Sequence, residues 1–221
     1  MKKNNVKKTI FILLVIAVIL FNSCIGISYD IQLNRDGSGK ITMEFKISRL
    51  LDDLGGLDGN ESMPTIPLSR QDWERTVERI PGTKLSSFST RNTAQDTIIS
   101  VVVDFSNTEA LLAILEDSGN KSSINHNGRT GSFDLIIFYG PTEEYDDNVL
   151  VLARSFFNGY DYTFSFSAPE NSTMSLTNGS GASINVPQSI ETSLSGKRVS
   201  FTANMMDVVT QSDGLGVRIN W

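Results

Sequence analysis

The chain has 221 residues, with 19 Lys and Arg against 25 Asp and Glu, one cysteine and one histidine. A formal charge of −6 argues against a surface that binds nucleic-acid phosphates. A lone cysteine excludes an internal disulfide and a thiol-ligated metal site, and any histidine-based triad or zinc site has only His126 to draw on.

Lys2, Lys3, Lys7 and Lys8 open the chain, residues 10–21 are all apolar, and Asn22 and Ser23 lead into Cys24. Twelve apolar residues rise roughly 18 Å as a helix, well short of a hydrocarbon core about 30 Å thick. That length suits the core of an export signal better than a membrane span. Leu20, Ser23 and Cys24 resemble the lipobox of bacterial lipoproteins. Phe21 and Asn22 depart from the usual box, and Leu20 sits one place further back. The resemblance implies removal of residues 1–23, lipid attachment at Cys24 and a membrane tether. Ile25 stands where an inner-membrane retention signal places Asp, so by analogy the outer membrane or cell surface is favoured over the inner membrane. Two other readings stay open: an uncleaved anchor helix extended through Gly26, and a secreted product cut near Ser23. Residues 24–221 hold 15 basic and 25 acidic side chains, a charge of about −10 on 198 residues, which suits a single globular domain.

Ile27, Tyr29, Ile31 and Leu33 alternate with polar residues, Asp36-Gly37-Ser38-Gly39 supplies a turn, and Ile41, Met43, Phe45 and Ile47 alternate again. This predicts a β-hairpin that starts almost at the tether. The hairpin with its Asp-Gly-Ser-Gly turn, residues 28–47, is similar to the start of LppM-like lipoprotein domains. That likeness implies an α+β fold and an envelope or lipid-associated role, with no functional residue carried over beyond Cys24. A short helix is expected over residues 50–54, and residues 55–67, rich in Gly and Pro, form a candidate hinge loop. Ser69 with Asp72 reads as a helix start, followed by Trp73, Val77 and Ile80 at helical spacing.

Residues 83–89 make a weak strand, and Ile99, Val101, Val103 and Phe105 a strong one. Ser106 to Glu109 reads as a capping box before a helix that buries Leu111, Leu112, Ile114 and Leu115. A strand near Ile124, a turn at Asn127-Gly128 and a strand through Phe133, Leu135, Ile137 and Tyr139 follow. A further helix places Tyr145, Val149, Leu152 and Phe156 on one face. Tyr160, Tyr162, Phe164 and Phe166 alternate as a strand. Short strands are expected near Met174, Ile184, Leu194 and Val199, then a helical turn over residues 204–210 and a last strand through Leu215, Val217, Ile219 and Trp221. The expected architecture is α+β: an antiparallel sheet built from hairpins, three to four helices packed on one side, and a β-rich C-terminal third.

Chemistry is sparse. His126 reads as an exposed turn residue. Gly37 and Gly39 lack the third glycine and following helix of a phosphate loop. Glu143, Glu144, Asp146 and Asp147 offer oxygen ligands for calcium, but acids are also favoured in the first turn of a helix. Asp52, Asp53 and Asp58 are read as solvated loop acids. Phe156, Phe157, Tyr160, Tyr162, Phe164 and Phe166 line either a hydrophobic pocket or an ordinary core, and the core is favoured. No catalytic, metal or cofactor residues are assigned. The leading expectation is a non-catalytic envelope lipoprotein, tethered by lipidated Cys24, that binds an envelope protein or lipid partner and no nucleic acid. The alternatives are a module binding lipid or another hydrophobic small molecule, and an envelope enzyme working through carboxylates alone.

Overall fold

The computed structural model describes residues 25–49, 69–140, 151, 154, 157 and 159–221. The signal segment, Cys24, the 50–54 helix, the 55–67 loop and the acidic cluster at 143–147 lie outside the described residues.

β1 (Ile25–Leu33) and β2 (Gly39–Ser48) form the expected hairpin, in register from Ile25 against Ile47 to Leu33 against Gly39. The turn closes tightly. Gly37 has φ +82, and a Cβ on Gly39 would lie 2.0 Å from the Gln32 carbonyl oxygen and 2.5 Å from the Phe105 ring, so no larger residue fits there. Helix α1 (Arg70–Arg79) starts as expected: Ser69 Oγ accepts from the Asp72 amide at 3.2 Å, while Asp72 accepts from the Ser69 amide. β3 (Thr83–Asn92) and β4 (Asp96–Phe105) then pair antiparallel, with a bulge between Leu85 and Ser87. The bulge breaks β3's alternation, so only Leu85 and Phe88 point inward and the strand reads weakly in sequence. Helix α2 (Thr108–Asp117) is capped by Asn107, which accepts from the Ala110 amide at 2.8 Å; the cap is therefore one residue later than the Ser106 start read from sequence.

The larger difference lies in the sheets. β5 (Lys121–Asn127) and β6 (Thr130–Phe138) leave the first sheet and build a second with β8 (Thr173–Thr177) and β11 (Leu215–Asn220), in the order β5-β6-β11-β8. The first sheet has seven strands in the order β3-β4-β2-β1-β7-β10-β9, completed by β7 (Asp161–Ser167), β9 (Ile190–Ser195) and β10 (Arg198–Asn204). Residues near Ile184 make an isolated bridge, Thr177 with Ser183, rather than a strand. Helix α3 (Met205–Val209) is the expected helical turn.

The expected single sheet under three to four helices is therefore wrong: the described residues form a β-rich molecule of two sheets with three helices. The two sheets face each other through aromatic rings. Phe133 of β6 stacks on Phe166 and Phe164 of β7, with centroids 5.0 and 6.2 Å apart. The short helices cover only what the second sheet leaves: Trp73 of α1 stacks on Phe45 of β2 at 6.2 Å, and α2 buries Leu111, Ile114 and Leu115. The physical reason is length. Helices of ten residues reach about 15 Å each, too little to roof seven strands set about 4.8 Å apart. The sheet is also not wholly antiparallel, because β1 pairs parallel to β7.

Candidate functional site

The molecule has two distinguishable ends. The distal end carries the β1–β2 turn. There His126 Nε2 lies 3.0 Å from the Arg35 carbonyl oxygen and ties the second sheet to that turn. A carbonyl only accepts, so Nε2 carries the proton. Nδ1 is buried without a partner among the described residues, and the ring sits 6.0 Å from Trp221. His126 is thus part of β5 and a strut between sheets, not a free turn residue. The Asp36-Gly37-Ser38-Gly39 turn does not cradle an anion either. Its centre is a carboxylate: Asp36 accepts from the Ser38 amide at 3.0 Å and from Ser38 Oγ at 2.6 Å, and these bonds hold its pKa below the usual carboxylate value.

The proximal end carries Ile25, the residue bonded to Cys24 in the chain. Here Ile25 pairs with Ile47, and Ser48 with Asp96. Asp96 is buried, accepts a hydrogen bond from the Tyr160 hydroxyl, and lies 3.4 Å from Lys46 Nζ. Lys46 Nζ in turn sits 4.8 Å over the Tyr160 ring. The cluster joins β2, β4 and the entry to β7 on the outer face of the large sheet. Sequence reading missed it. By alternation Tyr160 is expected as one more inward aromatic of β7, whereas the strand begins at Asp161 and Tyr160 turns away to Asp96. The one local signal is an acidic residue opening a strand whose inward positions are Ile99, Val101, Val103 and Phe105.

The remaining aromatics behave as core. Tyr162, Phe164 and Phe166 are buried and packed among Tyr29, Phe133 and Phe201, while Phe157 is half-buried against them. Tyr162 and Tyr29 lie 6.0 Å apart between centroids. The Tyr29 hydroxyl accepts from Asn120 Nδ2 at 3.5 Å, while the buried Tyr162 hydroxyl has no hydrogen-bond partner among the described residues. Burial raises both pKa values. At Tyr29, hydrogen bonds from Asn120 and Ser118 oppose the rise; at Tyr162, the nearby Tyr29 adds to it.

Both phenols stay protonated in the fold at pH values where the unfolded chain has lost those protons. Their contribution is complete below the unfolded value near pH 10 and is lost as pH rises through the folded values. Urea midpoints should therefore keep this contribution up to about pH 10 and fall as the pH rises beyond it. A Tyr29→Phe, Tyr162→Phe double variant should flatten that fall, and an equally steep profile in the variant would refute the assignment. At neutral pH Tyr162→Phe alone should be neutral or stabilising, because it removes an unpaired buried hydroxyl.

At the proximal end of the second sheet Tyr139 follows the last pair of β6, Phe138 against Leu215. The residue is 55% exposed, although its backbone is closely approached by neighbouring chain. A Cβ on Gly179 would lie 2.6 Å from the Tyr139 carbonyl oxygen, and one on Gly214 would lie 2.4 Å from that of Phe138. The outer face of the large sheet is mostly polar, although β4 adds Ile98 and Val102 to it opposite Lys46 and Thr42. It carries Lys40 with Asp104 at 3.8 Å and Arg198 bidentate to Asp30 at 3.0 and 3.1 Å. Among the described residues no three His, Cys, Asp or Glu side chains gather as metal ligands, and no helix is long and apolar enough to cross a membrane.

No protein-family model matches the chain, and no curated protein matches it in sequence. Among solved structures the chain is similar to the folded domain of the Mycobacterium tuberculosis LppM protein, determined by NMR. The match covers 90% of each chain, with a TM-score of 0.49 and 9% identity. Identity at that level transfers no residue role from one chain to the other.

Proposed function

We propose that the protein is a cell-envelope lipoprotein: a non-catalytic β-rich module held at a membrane by acyl chains on Cys24, which presents its polar sheet face to an envelope partner. One observation supports this reading above the others. The basic start, the apolar run at 10–21 and Ser23-Cys24 run without any linker into β1, which begins at Ile25. A leader joined directly to a folded strand suits a processed, tethered domain. A single acyl chain binds only marginally, so stable anchoring calls for the two or three chains that a mature bacterial lipoprotein carries. The mature charge of about −10 would itself push the domain from an anionic surface, which leaves the tether as the attachment.

The test is the intact mass of protein extracted from the membranes of a bacterial host. The expected mass is that of residues 24–221 plus two or three acyl chains. Cys24→Ser should remain at precursor mass without acylation. A Cys24→Ser protein that is trimmed and acylated like the parent would refute the reading.

A further inference from the structure

We propose that the proximal end of the two-sheet body lies flat against the bilayer, with the Tyr139 side chain at the level of the lipid headgroups. The inference rests on acylation at Cys24 and adds which surface meets the lipid. Cys24 and Ile25 are adjacent, so their Cα atoms are about 3.8 Å apart and no free chain separates the anchor from the fold. Ile25 is itself buried and paired with Ile47, so the first residue after the anchor is already fixed.

The strand it opens, β1, is the middle one of seven, with three strands on either side. A tether from the middle strand draws in the whole end of the sheet rather than one corner. The second sheet ends on the same side. Its opposite end is pinned to the β1–β2 turn through His126 and Arg35, and β6 runs from there to Tyr139.

Tyr139 therefore stands at the bilayer side, exposed on a backbone closely approached by Gly179 and Gly214. A tyrosine held this rigidly, with an apolar ring and a polar tip, matches the headgroup region. Arg49, exposed at the end of β2 with its amide bonded to the Gln95 carbonyl at 2.9 Å, is placed to reach lipid phosphates. The distal end carries charges of its own, with Arg35 paired to Glu170 and with Arg129 and Lys197 in its turns, so the anchor and Tyr139 are what set the proximal end apart.

The test uses the full lipidated protein. Its one native thiol is consumed by acylation, so an introduced cysteine is the sole free thiol. Tyr139→Cys, Arg49→Cys and the distal control Arg129→Cys would each be labelled with an environment-sensitive nitrobenzoxadiazole dye. Each protein would then be reconstituted into phosphatidylcholine vesicles. The expected result is a severalfold rise and blue shift of emission at 139 and 49, quenched by headgroup-nitroxide lipid, with no change at 129. Arg49→Cys keeps the test open should Tyr139→Cys disturb the glycine-packed turn. Acylated protein that responds at 129, or at none of the three positions, overturns this orientation and leaves the lipoprotein reading standing. An unacylated mass in the same samples overturns both.

Discussion

Phe133→Ala should lower the stability of the described fold by about 4 kcal/mol, the middle of the range for a buried aromatic cut to a methyl group. Phe133 is fully buried at the centre of the junction between the sheets, and its ring is nearly parallel to that of Phe164, at 3°, and close to that of Phe166, at 18°. Truncation removes the apolar area of the ring, leaves a cavity between two sheets that cannot both collapse into it, and forfeits two ring contacts worth about 0.5–1.5 kcal/mol each. Against a typical total of about 5–15 kcal/mol, such a loss brings a domain close to its threshold. Urea unfolding followed by tryptophan fluorescence reads the effect. Trp221 lies 5.6 Å from Phe166, so it reports on the same junction. Phe133→Leu should cost distinctly less. A loss below about 1 kcal/mol for the alanine variant would mean that the two sheets do not pack through this ring.

Trp73→Ala should cost about 3–5 kcal/mol, but by a different route. Helix α1 has ten residues, fewer than the roughly 12–15 that an isolated helix needs to persist in water. Its capping box fixes where it starts, and its attachment comes from Trp73, 2% exposed and stacked on Phe45. Without the indole the helix loses its main hold on β2, while the junction around Phe133 is untouched. Hydrogen exchange should therefore show lost protection over residues 70–79 and in neighbouring β3, with β6 and β11 nearly unchanged. Uniform loss across both sheets would contradict this separation.

The contrast between these two sites shows what the sequence made legible. The β1–β2 hairpin, α1 with its Ser69–Asp72 box, and the alternation of β4, β7 and β11 are local patterns, each readable within a dozen residues or so. Which strands pair is a long-range matter. Nothing in the alternation of Phe133, Leu135 and Ile137 says that their partners are Ile219 and Val217 rather than the neighbouring β4. Each round of hairpin and helix therefore looked like more of one sheet. The candidate site was less legible still. Cys24 is singled out by its neighbours in sequence, but Asp96, Lys46 and Tyr160 are brought together only by register, and Tyr139 stands out only once two distant glycines, Gly179 and Gly214, close on its backbone.

The parallel pairing of β1 with β7 also constrains the order in which the molecule can assemble. β1 is completed on one side by its hairpin neighbour within a few residues, while on the other side Ile27 waits for Tyr162 and Gln32 for Ser167. A chain emerging N-terminus first from a ribosome or a translocation channel thus holds an early hairpin with an open backbone edge until most of the sequence has followed. Local pairing comes quickly and the distant strand arrives late, so the rate of folding is set by closing that loop. In that interval the bare edge is the region most exposed to mispairing with another chain, and a chaperone that shields nascent strands would act there first.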